Sequence, residues 1–200
     1  MLAAPWQARA DDDAGFWQRY GHRAAATRTY TARFIQRVEG PGLGVALESR
    51  GVLYVARPDL LRWEYTDGSR QVVIGDGRWL WVYQPELEQA WRSSYQQAVE
   101  RAPLLDFLAT GTALSTAYRV LEESVRGDRL TVKLEARKGP PIEIELTLDA
   151  GSLDPLGLLV RQPDGGWMSL ELAGALRNQD LDLSLFSFTP PAGTDIITVP

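Results

Sequence analysis

Two hundred residues, 44% of them hydrophobic and 24% charged, suit one domain or at most two small ones and can bury a sizeable core. The formal net charge of -5 leaves no electrostatic footprint for nucleic acid or for an anionic membrane surface. The chain has no cysteine, which excludes disulfides, thiol catalysis, thiolate metal sites and thioether lipid anchors on it, and no apolar run approaches the length of a membrane-spanning helix.

The chain begins MLAAPWQARA. Ala8-Arg9-Ala10 before Asp11-Asp12-Asp13 fits the small-x-small cleavage pattern of a secretory signal, without the positive start and full apolar centre of one. Residues 1–10 therefore read as a signal remnant or a disordered leader, with one folded domain over 11–200 and an exported protein as the expectation.

Asp11 to Asp13 supply an N-cap and a favourable charge for a helix dipole. Phe16, Trp17, Tyr20 and Ala24 follow at helical spacing, which predicts a helix from about Asp12 to Thr27. Gly21 weakens it by up to about 1 kcal/mol relative to Ala. His22, the only histidine, lies in this helix beside Arg23 and reads as a surface residue. Tyr30 to Val38 alternates as a strand, with Ala32 and Phe34 or Ile35 inward and Arg33, Gln36 and Arg37 outward. Gly40-Pro41-Gly42 breaks it.

The stretch from Gly51 to Tyr83 organises the chain. Aromatic-rich apolar runs separated by Asp67-Gly68 and Asp76-Gly77 read as antiparallel strands joined by hairpins. Alternation puts Leu61, Trp63 and Tyr65 on one strand face, and Trp79, Trp81 and Tyr83 on one face of the last run. Leu53, Val55, Leu80 and Val82 are read onto the opposite face. Both faces are then apolar, and both need cover from protein or from an apolar ligand. Arg57, directly before Pro58, places a cation at the rim.

Glu86 to Glu100 is polar with scattered Leu87, Trp91, Tyr95 and Val99, and reads as a further strand followed by a loop or irregular helix. From Arg101 to Gly111, Pro103 sits as a first-turn proline and Gly111 as a C-terminal stop. Leu104, Leu105, Phe107 and Leu108 make this segment apolar nearly all round. So short a helix is not stable alone and must lie on something apolar, either as a buried connector or as a lid over an apolar cavity. From Tyr118 the strand pattern returns, with Leu130, Val132, Leu134 and Ala136, then Ile142, Ile144, Leu146 and Leu148, alternating with polar residues. Leu156 to Gln162, Trp167 to Ala173 and Leu185 to Thr189 complete the strands. About ten short strands at this spacing predict a barrel or a strongly curved sheet.

No catalytic constellation emerges. A single histidine has no Gly-x-Ser-x-Gly nucleophile motif to serve, there is no Gly-rich phosphate loop, and the carboxylates sit at outward strand positions or turns. Arg126-Gly127-Asp128 reads as a turn. Neither metal nor cofactor is expected, and the pattern points to binding rather than catalysis.

Three blocks resemble the LolA family of periplasmic lipoprotein carriers. They are Arg57-Pro58-Asp59-Leu60-Leu61-Arg62-Trp63; Asp76-Gly77-Arg78-Trp79-Leu80-Trp81-Val82-Tyr83-Gln84-Pro85 with Glu88-Gln89; and Phe186-Ser187-Phe188-Thr189-Pro190-Pro191-Ala192-Gly193. Phe34-x-Gln36 also fits. The resemblance implies a mainly β fold with α (α+β), an incompletely closed antiparallel barrel or strongly curved sheet covered by a helical lid. It implies that Arg57 latches the lid through helix backbone carbonyls. The cargo surface it implies carries onto Leu61, Trp63 and Tyr65 in the sheet and Leu104, Leu105, Phe107 and Leu108 in the lid. The partners it implies are acylated lipoproteins, an inner-membrane lipoprotein-releasing ABC transporter and an outer-membrane lipoprotein receptor, met by a periplasmic monomer. Two alternatives stay open: carriage of a glycolipid or other amphiphile on the same fold, and a lipid- or lipoprotein-sensing regulatory domain.

Overall fold

The computed structural model describes residues 13–42, 44–101, 114–139 and 142–199. Helix α1 spans Asp13–Ala25 and buries Phe16, Trp17, Tyr20 and Ala24, the stripe expected from their spacing. His22 is exposed beside Arg23 in its last turn, where positive charge meets the helix dipole favourably. Thr27, buried just past the helix, donates its hydroxyl to the Arg23 carbonyl (3.0 Å), and the chain turns directly into the sheet.

The strands that follow are β1 (Thr29–Glu39), β2 (Leu47–Ala56), β3 (Leu60–Asp67), β4 (Val72–Asp76), β5 (Trp79–Gln84) and β6 (Gln89–Ser94). Helices α2 (Tyr95–Arg101) and α3 (Leu114–Ala117) come next. The chain then forms β7 (Tyr118–Arg126), β8 (Arg129–Ala136), β9 (Glu143–Asp149), β10 (Pro155–Arg161), β11 (Trp167–Arg177) and β12 (Asp195–Thr198). Among the described residues these make one twelve-stranded sheet in the order β12-β6-β5-β4-β3-β2-β1-β11-β10-β9-β8-β7. The pairs are antiparallel except the last-formed strand, β12, which runs parallel to β6. Strands β12 and β7 are the two edges, so the sheet is open and mostly β, the incompletely closed form expected.

Twelve strands replace the ten counted from sequence. Gly51 to Tyr83 alone holds parts of four, because the Arg57-Pro58-Asp59 corner turns the chain as firmly as the two Asp-Gly pairs do. At Asp76-Gly77 the reason is explicit. Gly77 takes a positive φ of 86°, and the Asp76 carboxylate accepts from the backbone N–H of Arg78 (2.9 Å) and Trp79 (2.7 Å). The strand expected over Leu185 to Thr189 is not one. Leu183–Phe186 is a 3-10 turn capped by the Asp182 carboxylate, which accepts from Ser184 N (2.9 Å), and the chain runs on to Pro190-Pro191, which have no N–H for a ladder. The turn packs across β3 and β4 instead of pairing at an edge.

Register fixes which residues share a face. Leu53 sits opposite Trp63, and Trp63 opposite Val73, so Leu53 shares the inner face with Trp63. Val55 faces Leu61 in the same way. Leu53, Val55 and Leu80 join Leu61 and Trp63 in one buried core, which corrects their expected placement on the opposite face. The opposite, outer face carries Arg62, Ile74, Trp81 and Arg92 in one cross-strand row. Gln36, expected outward, is also inward, because Tyr65 of the inner face hydrogen-bonds to it.

Strands β7 to β11 follow the expected alternation. Leu130, Val132, Leu134, Ile144, Leu146 and Leu148 are buried in the same core. Directly opposed outward charges pair across the β7–β8 hairpin: Arg119 with Glu135, and Lys133 with Glu122 (3.1 Å). Helix α1 lies within the curl of the sheet, its Phe16, Trp17 and Tyr20 packed into this core.

Candidate functional site

The inner wall is built on β1 and β3. Leu61 and Trp63 are buried and Tyr65 is half-buried, with all three on one face as the alternation predicts. Phe34 meets Trp63 edge-on at 5.3 Å between ring centroids and Tyr65 at 5.0 Å. Trp63 and Tyr65 lie nearly parallel, 6.0 Å apart. Such contacts add to the area they bury and fix ring positions. The Tyr65 hydroxyl donates to Gln36 Oε1 (2.6 Å), and burial pushes its pKa up to about 12, against the opposing pull of its hydrogen bonds. The wall is thus apolar and aromatic, with the Tyr65 hydroxyl at its edge satisfied by Gln36.

Two glycines make room for rings. A Cβ on Gly51 would come within 2.7 Å of the Phe34 ring and 1.9 Å of the Glu64 carbonyl oxygen. A Cβ on Gly75 would come within 2.4 Å of the Tyr95 ring. Tyr95, the first residue of α2, therefore sets its ring close against β4, and a glycine inside a strand marks that close approach. Its hydroxyl and the Trp63 indole Nε1 are buried without a hydrogen-bond partner among the described residues. Burial raises the Tyr95 pKa, Asp59 raises it further, and Arg57 pulls it down.

Arg57 stands where these parts meet. Its backbone N–H donates to the Arg28 carbonyl (2.8 Å), tying the end of β2 to the α1–β1 junction. Its half-buried guanidinium shares a cavity of about 30 Å³ with Tyr20 and Ala24 of α1. Burial lowers its pKa, while Tyr20 and Tyr95 act in the opposite sense. An arginine stays protonated through such shifts, so a charge is held between α1 and the start of α2. A wider cleft of about 580 Å³ adjoins Phe34 and Gly51, lined further by Val52, Leu156 and Leu172 and by charged Arg33, Arg50, Arg129 and Glu171. That volume is in the range of ligand clefts.

The structure therefore brings Arg57, Leu61, Trp63 and Tyr65 to one side of the sheet. Leu104, Leu105, Phe107 and Leu108 lie outside the described residues. Trp79, Trp81 and Tyr83 belong elsewhere. They are on the outer face with Ile74 and Ala90, where Trp81 and Tyr83 meet the Phe188 ring at 5.4 Å and 5.2 Å. Sequence reasoning did not assign Phe16, Trp17, Tyr20 or Tyr95 to the site. The helical spacing of the first three was legible, but nothing in the pattern says that the helix enters the curl of the sheet. Gly75, next to the Asp76-Gly77 turn, drew no reading of its own from the sequence, and its place beneath Tyr95 emerges only in the structure.

An open sheet curled round an aromatic interior, entered by a helix and guarded by an arginine at the rim, defines a class of apolar-ligand carrier folds. Residues 25–189 match the family described as outer membrane lipoprotein carrier protein LolA, and the chain belongs to that family. Outer-membrane lipoprotein carrier proteins are among its relatives. That of Neisseria meningitidis serogroup B is 31% identical over 152 residues, 75% of this chain and 72% of the relative. That of Chromohalobacter salexigens is 29% identical over 199 residues, 98% of this chain and 92% of the relative. Among solved structures, an uncharacterized conserved protein from Thermus thermophilus superposes with a TM-score of 0.57 at 16% identity, over 91% of this chain and 98% of that one. A DUF1329 family protein from Desulfovibrio piger gives 0.54 at 11% identity, over 89% and 98%. These two likenesses speak to the fold.

Proposed function

We propose that this protein is a periplasmic carrier that shelters the acyl chains of lipoproteins released from the inner membrane by an ABC transporter and delivers them to an outer-membrane receptor. The observation that carries the reading is Arg57, held between α1 and the start of α2 at the rim of the wall formed by Leu61, Trp63 and Tyr65. Family membership supports it, since the relatives are named as lipoprotein carriers.

Magnitudes shape the mechanism. Lipoprotein acyl chains carry dozens of methylenes, each worth roughly 0.8 kcal/mol when buried, so free transit through water is prohibitive. A carrier must also let go. In the closed form Phe16, Trp17 and Tyr20 occupy the interior that acyl chains would take, so cargo competes with the protein's own side chains. Arg57 adds to the closed form through charge-assisted hydrogen bonds to the covering helices, each worth about 1.5–3 kcal/mol. Cargo binding then breaks those contacts, net affinity falls, and transfer to a better acceptor runs downhill. In this reading the apolar side chains of Leu104, Leu105, Phe107 and Leu108 supply further contacts to the acyl chains. The work is binding and release, without a chemical step.

Arg57→Leu removes the latch and should slow release to the receptor by roughly tenfold or more, the worth of one such hydrogen bond. Equal transfer rates for the two proteins in a purified handover assay would refute the latch. Native mass spectrometry of the protein isolated from its own periplasm tests the cargo: a bound triacylated protein supports lipoprotein carriage, and a bound free lipid supports another amphiphile.

A further inference from the structure

Two buried polar atoms in the core behind the wall go unanswered. Elsewhere in that core the Tyr65 hydroxyl donates to Gln36 Oε1 (2.6 Å) and the Tyr30 hydroxyl to the Pro155 carbonyl (3.3 Å). Trp63 Nε1 and the Tyr95 hydroxyl have no hydrogen-bond partner among the described residues, although Trp63 is only 3% and Tyr95 only 5% exposed. Register sets the two side chains on neighbouring positions of one wall. Tyr95 lies over Gly75 of β4, Gly75 pairs with Leu61 of β3, and Trp63 is the next inward residue along β3. Burial raises the Tyr95 pKa, so its hydroxyl keeps its proton. An indole N–H is a donor only. An otherwise apolar interior thus holds two donors close together.

A buried donor left unanswered is costly, and a core that retains two of them calls for a reason. Phe16, Trp17 and Tyr20 fill the closed interior without answering either one. A plain hydrocarbon in their place would leave both donors as they are. An acyl chain would not, because it begins with a carbonyl, and a carbonyl buried among apolar side chains needs a donor in turn. We propose that Trp63 Nε1 and the Tyr95 hydroxyl receive the ester or amide carbonyls of bound acyl chains, so that the wall selects acyl chains over alkyl chains of equal length. This selection rests on the acyl-chain carriage proposed above. A site built to hydrogen-bond one group discriminates well against an analogue that lacks it, which apolar surface alone does not do.

The test titrates the full chain with a lipopeptide carrying two fatty-acyl esters and with its dialkyl-ether counterpart of equal chain length, each read by displacement of a fluorescent apolar probe. The diether is the more apolar of the two, so a wall without donors would favour it. The parent protein should instead favour the diester by roughly tenfold or more, the worth of a buried donor gaining its acceptor. Trp63→Phe and Tyr95→Phe should each lower that preference, with diester affinity falling further than diether affinity. Trp81→Phe removes another buried, unpartnered indole N–H, on the outer face, and should keep the preference. Tyr95→Phe takes away an unanswered hydroxyl, so its Tm should not fall, which separates a binding change from unfolding. The infrared band of isotope-labelled ester carbonyls should lie lower in the parent complex than in either inner-face variant. Diether bound as tightly as diester by the parent, or a preference that survives in both Trp63→Phe and Tyr95→Phe, would overturn the proposal. Should Trp63→Phe fail to fold, the parent ratio and Tyr95→Phe decide it. Binding of neither lipopeptide would reject acyl-chain carriage itself, whereas equal binding of both rejects only the role of the donors.

Discussion

Strands β3 to β5 carry aromatic residues on both faces, and the two faces are covered in different ways. On the outer face, Trp81 and Tyr83 are capped by Phe188 and flanked by Arg92, which stacks on Trp79 at 4.8 Å. The covering chain is stitched down through backbone. The Arg62 guanidinium donates to the Leu185 carbonyl (3.2 Å), Asp195 N donates to the Glu88 carbonyl (2.8 Å), and β12 continues as a strand on β6. On the inner face, α1 covers the core with Phe16, Trp17 and Tyr20 and is held by side chains. Its ion pairs, Arg19 with Glu123 (2.7 Å) and Arg23 with Asp154 (3.5 Å), are partly exposed, and pairs of that kind are worth at most about 1 kcal/mol. Similar residues thus serve two ends. The outer cover is part of the sheet's own hydrogen-bonded frame, whereas the inner cover rests on packing that another apolar surface can replace.

The contrast can be broken most forcefully from outside. Phe186 is fully buried under the 3-10 turn, and Phe186→Ala should cost about 3–5 kcal/mol in urea unfolding, while cargo affinity per folded molecule stays unchanged. A large loss of affinity at unchanged stability would show that the outer cover also moves. On the inner side, Gly75→Ala drives a methyl into the Tyr95 ring and should cost about 1–3 kcal/mol through the displaced start of α2. Hydrogen exchange should rise in α2 before it rises in β12; protection lost equally in both would contradict separate attachment. The mildest change is Tyr65→Phe, which removes the hydrogen bond to Gln36 and should cost about 0.5–1.5 kcal/mol. It also carries a pH signature. The folded pKa of Tyr65 is raised from 10.0 to about 12, so its contribution is whole below pH 10 and is lost as pH rises towards 12. Alkaline unfolding of Tyr65→Phe should therefore lose part of the slope that the parent protein shows across that window, and identical slopes would sink the assignment.

Much of this was legible in the sequence. Alternation placed Leu61, Trp63 and Tyr65 together, and the helical spacing of Phe16, Trp17, Tyr20 and Ala24 gave α1 to within a few residues. The faces of neighbouring strands were harder. Period-two patterning says which residues share a side within one strand, but the side shared between strands depends on register across each turn, which sets Leu53 opposite Trp63, and Leu80 opposite Gly75, itself opposite Leu61. Leu53 and Leu80 were misassigned for that reason. Phe186 and Phe188 looked like strand residues because aromatic alternation suits a strand, and the cap from Asp182 that turns the chain is a local polar signal easily outweighed by hydrophobic pattern. Arg57 stood out as a rim cation, but the latch role came only from resemblance, because a lone arginine before a proline carries no period at all.

Because β7 and β12 stay unjoined, strand number and shear do not set the girth of this protein as they do in a sealed barrel. Closure therefore does not fix its bore. A container of that sort has no single capacity, and guests with different numbers or lengths of tail would meet the same wall at different degrees of opening.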